Sequence, residues 1–480
     1  MAASFYFYDL ETSGFNPREA RIMQFAGQRT DLQLKPVGEP DNFLIKMTED
    51  IVPDPDAVLL TGITPQKTIA EGLSEVEFLQ IFHKQIVTVD TIFVGYNTVR
   101  FDDEFMRYLL YRNFYDAYEW QWQDGRSRWD LLDVVRMMRA LRPTGIKWPF
   151  ASDGSPTNRL QSLTSLNGIA HDGAHDALSD VRATISLAQL IRQHQPKLFD
   201  YLLTMRDKKL IAKLADSGQP FLYTSGKYSS EWEKTTVVVK LADHPNRGVL
   251  VYDLRFDPTP FIKMSTPELI KAWTLKWDEP GLRLPVKTLQ FNRCPAVAPL
   301  SVLDKGSQKR LNLTLKHLED NLAKLEQVDL KTPVLKALTA MEKQRQTQFV
   351  VDQSDVDSRL YDDFLNNQDR KKLIDFRRAT PQDMSSFASK FVDDRLKALI
   401  PLYKARNFQN FLNDDERQIW ERFRERRLLG GKQQSRLAKY FARLAELAER
   451  TDLADQQRYI LEELQLYGQS ILPENHETQD

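Results

Sequence analysis

The chain has 480 residues, enough for several domains that each bury a core. Charged residues make up 28% and hydrophobic residues 41%, an ordinary globular composition that excludes wholesale disorder. A formal net charge of −1 excludes a global attraction for polyanions, so a nucleic acid would have to meet local basic patches.

The single cysteine, Cys294, excludes a disulfide framework and a thiolate metal cluster and fits a reducing compartment. The start, Met1-Ala2-Ala3-Ser4-Phe5, lacks the basic-then-apolar layout of a signal peptide. No run approaches the about 18 apolar residues of a membrane span. A cytoplasmic protein is expected.

Phe5-Tyr6-Phe7-Tyr8 are four consecutive aromatics, which predict a strand buried on both faces in the middle of a sheet. The strand ends in Asp9-Leu10-Glu11, and Ser13-Gly14 turns the chain away. Alternation puts Asp9 and Glu11 on one face, about 6–7 Å apart. Two like charges beside an apolar strand are tolerable if one takes up a proton or a cation sits between them. Taken alone, the pair reads first as a strand end running into solvent, and other acids must decide.

Ile22 to Thr30 predicts a second strand and the segment around Phe43-Leu44-Ile45-Lys46 a third, forming a meander with the first. Thr91 to Asn97 predicts a further strand, and Arg100-Phe101-Asp102-Asp103-Glu104 opens a helix directly after it. A carboxylate there lies at the carboxyl end of a strand, where open α/β sheets place their ligands. Helical geometry turns Asp103 about 100° away from Asp102, toward a capping or ion-pairing role.

From Arg107 to Arg142, arginines interleave with Tyr108, Tyr111, Phe114, Tyr115, Tyr118, Trp120, Trp122 and Trp129. Arginine for phosphates and aromatic faces for bases are what single-stranded nucleic acid requires. About half of these side chains are expected in the core, because Trp129 to Val135 reads as an amphipathic helix. Further on, His171 with Asp176 and His175 with Asp180 form competing His-x4-Asp pairs. Gly173 marks the first as loop. In the second, Asp176 is a helix cap and Asp180 sits one turn in, leaving His175 on the mobile approach. Proton transfer benefits from mobility and metal binding from rigidity, which favours the second pair.

Asp9, Glu11, Asp102, His175 and Asp180 together suit phosphodiester hydrolysis with two divalent metal ions, hard oxygen ligands holding magnesium or manganese. The histidine can take a proton from attacking water near neutral pH. This order of residues resembles the histidine-containing branch of the DEDD 3′→5′ exonucleases, relatives of polymerase proofreading subunits. Longer stretches are similar to the bacterial exonuclease I family: Leu60-Thr61-Gly62-Ile63-Thr64-Pro65-Gln66, the run from Gly95 to Glu104, Tyr111 to Asp116, and Ser127 to Val134. Asn167-Gly168-Ile169, Ala174-His175-Asp176-Ala177 and Tyr403 to Phe408 extend the likeness over nearly the whole chain, weakly in the middle.

The resemblance implies a ribonuclease H-like α/β exonuclease domain (a mixed sheet flanked by helices), then a small β-rich SH3-like domain, then an all-α C-terminal domain. It implies that Asp9 bridges two metal ions, that Glu11 and Asp180 help hold the ion that activates water, that Asp102 serves the other, and that His175 is the general base. Glu11, Arg107, Tyr118, Trp122, Arg136 and Arg159 are placed along the single-strand path. Leu10 and Ser13 depart from the commoner family spelling, but neither is a ligand position. Two Mg2+ ions (Mn2+ as substitute), single-stranded DNA, the acidic, apolar C-terminal tail of single-strand binding protein and a monomeric state are the implied cofactors, partners and assembly.

After about Phe199 the texture changes. Thr235 to Leu241, Gly248 to Leu254 and Val286 to Phe291 predict strands of a small β domain. Leu311, Leu315, Leu318, Leu322 and Leu325 recur at helical spacing and read as core. From about Val350 to Leu472 the pattern is helical, and the basic run Arg422 to Arg427 reads as a solvated face. The expected domains are 1–197, 198–349 and 350–475, with 476–480 a frayed tail. The resulting expectation is a processive 3′→5′ exonuclease of single-stranded DNA that releases 5′-mononucleotides. An RNA-trimming relative and a non-catalytic single-strand-binding scaffold are the alternatives.

Overall fold

In the computed structural model, β1 (Ser4–Thr12) lies at the centre of a sheet built with β2 (Ile22–Thr30), β3 (Asp41–Leu44), β4 (Thr91–Gly95) and β5 (Ser127–Asp130). The structure describes residues 3–473 apart from 172, 174, 277, 349–354, 432 and 433. Strand order is β3-β2-β1-β4-β5. β1 runs antiparallel to β2 and parallel to β4, and β4 runs parallel to β5. The sheet is therefore mixed, as expected.

The aromatic run explains why β1 is central. Phe5 and Phe7 face a core that includes Val94, Trp129, Val181 and Ile185. Tyr6, Tyr8 and Leu10 face the opposite core, with Phe25, Phe93 and Trp120. Only a strand covered on both sides can bury alternate residues this way. Asp9 and Glu11 continue the Phe5/Phe7 face, against which the helix Ala177–His194 packs through Ala177, Val181 and Ala188.

β6 (Phe221–Thr224), β7 (Thr235–Asp243), β8 (Val249–Asp253), β9 (Val286–Leu289) and β10 (Ala296–Pro299) form a second sheet, antiparallel throughout in the order β10-β6-β7-β8-β9. Its Leu222, Val237 and Leu250 belong to the same apolar core as the Phe5/Phe7 face of the first sheet. Leu311, Leu318 and Leu325 also join this core, so that leucine stripe is internal packing.

The C-terminal helices, among them Asn367–Arg378, Asp394–Asn407 and Asp414–Leu429, pack on the other side of the first domain. Phe114 stacks on Phe376 with ring centroids 3.9 Å apart, inside a core shared by Tyr108, Tyr111, Phe391 and Tyr403. A buried ion network crosses the same junction. Arg21 bonds Asp357 at 2.8 Å, and Arg406 bonds Asp50 at 2.8 Å and Asp357 at 2.6 Å. Arg427 adds a 2.8 Å bond to Asp357. The run Arg422 to Arg427 is thus not simply a solvated face, since Phe423, Arg424 and Arg427 are buried. Buried carboxylates demand such partners, and the guanidinium fork satisfies two at once. Among the described residues, no helix is long and apolar enough to cross a membrane.

Candidate active site

The end of β1 collects the acids. Asp9, Glu11 and Asp180 each offer a carboxylate oxygen, and these atoms lie within 4.8 Å of one another. Asp180 reaches the strand because Asp176 caps the helix Ala177–His194, accepting from the Ser179 N–H at 3.1 Å, which starts the helix one turn before it. The small, fully buried Ala177 lets that helix approach the sheet.

Asp102 arrives from the other side. β4 ends at Gly95, where a Cβ would stand 1.9 Å from Thr98 Cγ2, so only glycine permits the tight turn that follows. Asn97 occupies the left-handed region at φ 72°, and the chain then enters the helix Asp102–Arg112. Asp130, at the end of β5, fixes this turn by accepting from the N–H groups of Asn97 at 3.0 Å and Val99 at 3.1 Å. The same carboxylate caps its own helix through Leu132 N–H at 2.9 Å. The backbone N–H of Leu10, between Asp9 and Glu11, lies near enough to Asp102 to favour its charged form, against the burial that disfavours it. Asp103 points elsewhere: it accepts from Tyr8 Oη at 2.5 Å and pairs with Arg128.

Burial raises all four carboxyls above their ordinary values, and mutual repulsion adds to it. Asp9 is held well above the usual range by burial and then by Asp102, Asp180 and Glu11. Burial, Asp180 and Asp102 push Glu11 up to about 9. Burial pushes Asp102 to about 7 and also raises Asp180, against which the neighbouring His171 acts. A cluster of acids in this condition has to be neutralised by protons or by a cation. An all-oxygen donor set fits a hard divalent ion, and the residues present therefore fit the expected metal.

The histidines are arranged differently from either sequence-spaced pair. His171 Nε2 bonds Asp180, and its Nδ1 faces Thr164 Oγ1 at 2.9 Å. His175 stands in a turn at φ 71°, immediately before the Asp176 cap, within Coulombic reach of Asp180. The structure thus brings His171 onto the carboxylate and leaves His175 on the approach to the helix.

Of the residues placed on the single-strand path, Arg107 and Tyr118 come together, the guanidinium 5.5 Å from the ring centroid. Arg107 also donates to Glu104 at 2.7 Å and Gln121 at 3.1 Å. Trp122 is 61% exposed, whereas Tyr108, Tyr111, Phe114, Trp120 and Trp129 are core, close to the even division the sequence suggests. Arg136 bonds Asp133 at 2.6 Å and lies against Gly226 of the second domain. Arg159 is exposed at the start of the helix Leu160–Leu166. Glu104 joins all three parts of the molecule: besides Arg107, it receives Arg293 from the β-rich domain at 3.3 Å and Tyr361 from the helical domain.

Sequence reasoning missed Asp130, which looked like one member of an amphipathic helix, and Gln24, whose signal was a lone amide in the otherwise apolar Ile22-Met23-Gln24-Phe25-Ala26. It weighed His171 but paired it with Asp176.

The chain is similar to known proteins along most of its length. Residues 6–188 match the Exonuclease family model, 206–340 the Exonuclease I SH3-like domain, and 354–471 the Exonuclease I C-terminal domain. Exodeoxyribonuclease I of Escherichia coli is 40% identical over 425 residues, covering 87% of this chain and 88% of that protein. The crystal structure of E. coli Exonuclease I in complex with a dA16 oligonucleotide superposes with a TM-score of 0.92 at 36% identity, over 98% of this chain and 100% of the other. A structure of SSB/Exonuclease I in complex with an inhibitor matches with a TM-score of 0.88 at 35% identity, over 98% and 100%. With three successive domain models spanning the chain and relatives of full length, the chain belongs to the exonuclease I family of exodeoxyribonucleases.

Proposed function

We infer that the chain hydrolyses single-stranded DNA in the 3′→5′ direction, processively, releasing 5′-mononucleotides. The observation that carries this reading is the convergence of Asp9, Glu11 and Asp180 oxygens within 4.8 Å at the end of the central strand, with Asp102 beside them. Asp9, Glu11, Asp102 and Asp180 would hold two magnesium ions, with Asp9 shared and manganese able to substitute. When bound, such ions supply positive charge to the attacking and departing oxygens of the phosphodiester.

The chain's own side chains do the rest. His175 accepts the proton of the attacking water, and its turn outside the rigid helix allows it to approach the water and withdraw. His171, fixed by Thr164, holds the Asp180 carboxylate in place. Tyr118 and Trp122 offer faces to bases, while Arg107, Arg136 and Arg159 meet the backbone phosphates of the strand. The three domains together would form a groove for the strand, lengthened by the second and third, so the strand stays bound between cuts and a duplex is excluded because it cannot thread it.

The related SSB/Exonuclease I complex supports a further part of the reading: the acidic, apolar C-terminal tail of single-strand binding protein docks on this chain. A fluorescent tail peptide should bind and be displaced by its unlabelled form.

The test of the activity uses end-labelled DNA and RNA oligonucleotides with magnesium and Asp9→Ala as the control. Stepwise loss of DNA from the 3′ end is expected, abolished in the variant. Digestion of RNA alone would make the chain an RNA-trimming enzyme, and digestion of neither would leave a binding scaffold.

A further inference from the structure

We propose that Gln24 is the positioning residue that sets the helix Ala177–His194 in register with the β1 carboxylates. The proposal rests on the reading of the β1 end as a metal-dependent nuclease site. It concerns a residue outside the acid-and-histidine set.

Gln24 lies on β2 directly opposite Glu11 on β1. Cross-strand partners project from the same face, so the Gln24 amide leaves the sheet beside the Glu11 carboxylate. The residue is only 5% exposed, yet its polar atoms have partners. Nε2 donates to Asp176 Oδ1 at 2.9 Å and to Asn42 Oδ1 at 2.9 Å. Oε1 accepts from the backbone N–H of Ala177 at 3.2 Å.

These partners fix the amide's orientation. An ionised Asp176 can only accept and the Ala177 N–H can only donate, so turning the amide over would set acceptor against acceptor and donor against donor. Both anchor points belong to the first turn of one helix. Asp176, the cap, satisfies the Ser179 N–H, whereas the Ala177 N–H is among the donors that a helix start leaves without an internal partner. Gln24 supplies that acceptor and grips the cap as well. Two bonds to adjacent residues fix both the advance of the helix along β2 and its rotation about its axis. One turn onward, that rotation determines where Asp180 points relative to Asp9 and Glu11. One residue upstream is His175, at φ 71°, so the same grip also anchors the end of the turn that carries it.

A helix cap that served stability alone would not need to sit on the strand position paired with Glu11. The distinction is measurable through cation binding in the absence of DNA. Gln24→Leu keeps the volume and removes every bond. Asp176→Ser keeps a cap for the helix and removes the grip of Gln24 on it. Mn2+ binding to the DNA-free protein, read by electron paramagnetic resonance, should weaken about 10- to 100-fold in Gln24→Leu, in the range typical of residues that orient metal ligands. Asp176→Ser should show a smaller loss in the same direction. Steady-state digestion of oligo-dT should show kcat reduced and KM held within about threefold, because Gln24 bonds Asn42, Asp176 and Ala177 and none of Arg107, Tyr118, Trp122, Arg136 or Arg159.

A Gln24→Leu protein that unfolds more readily but binds Mn2+ as tightly as the wild type, with kcat unmoved, would overturn the proposal and leave a cap only. If Gln24→Leu does not fold, Asp176→Ser decides by the same two readouts. Weakened Mn2+ binding in a protein whose wild type digests no DNA would uphold the positioning role and refute the nuclease reading instead.

Discussion

At the scale of single residues, the carboxylates at the end of β1 dominate, because they trade stability for chemistry. A carboxyl held above its unfolded value binds its proton more tightly in the folded chain. Its contribution to stability is complete below the unfolded value of about 4 and is lost as pH rises through the folded value. With Asp102 at about 7 and Glu11 at about 9, the metal-free protein should lose thermal stability steadily from mildly acidic to alkaline pH. Saturating magnesium should flatten that slope. Asp9→Asn should do the same without metal, raising the alkaline Tm by about 2 °C or more while lowering kcat by about 10²–10³-fold or more. Scanning calorimetry with and without chelator checks both, and a Tm insensitive to pH and to the substitution would contradict the account. The two histidines separate in the same way. His175→Ala should lower kcat by about 10²–10⁴-fold with Mn2+ affinity intact. His171→Ala should weaken Mn2+ binding by about 10–100-fold, since Asp180 loses its partner. The reverse pattern would reassign the base to His171.

At the scale of elements, β5 and the turn after β4 are coupled through Asp130. Replacing Asp130 by alanine leaves the N–H groups of half-buried Asn97 and buried Val99 without this acceptor and uncaps the helix Leu131–Leu141. The expected cost is about 3 kcal/mol in urea unfolding, with reduced kcat because the turn delivers Asp102. A loss below about 1 kcal/mol would show that the turn is held by other means. The elements that sequence made legible are those with one dominant periodicity. Burial of Phe5 to Tyr8 on alternate faces needs covers on both sides, so β1 could be placed from the aromatics alone, whereas its acids read as a site only together with Asp102, His175 and Asp180. Ile22–Thr30 matched its predicted bounds, because Arg21 and Asp31 mark the ends of its core run. What stayed hidden depended on partners far away in the chain. Arg427 looks solvated until Asp357 and Asp50 are seen beside it, and His171 pairs with Asp180 while its nearer candidate, Asp176, is engaged by Gln24 and Ser179.

At the scale of the whole molecule, the first and third domains are joined by charge as much as by apolar packing. Arg406 touches both Asp50 and Asp357, and neither carboxylate is appreciably exposed. Burial opposes their ionisation, but Arg406, Arg21 and Arg427 hold both well below the ordinary range. Their stabilisation is therefore intact above pH of about 4 and is lost as pH falls further toward the depressed values. Arg406→Met would remove a guanidinium that bonds both buried carboxylates and leave them to Arg21 and Arg427, at an expected cost of about 3 kcal/mol. If this junction keeps the groove long, the variant should also release DNA after fewer cuts per encounter. A trap experiment with excess unlabelled strand measures this, and unchanged product length would separate the junction from processivity.

Glu104 gives the assembly a mechanical property. It stands two residues beyond Asp102 on the first turn of the same helix and is gripped by Arg293 from one outer domain and Tyr361 from the other. If a strand under tension loads either outer domain, these two contacts would carry the load to the helix start that presents Asp102. Pulling on the DNA should therefore alter the dwell time of each cut as well as the rate of escape. Replacing Glu104 by glutamine, which weakens the grip without emptying the position, should make those dwell times less sensitive to force.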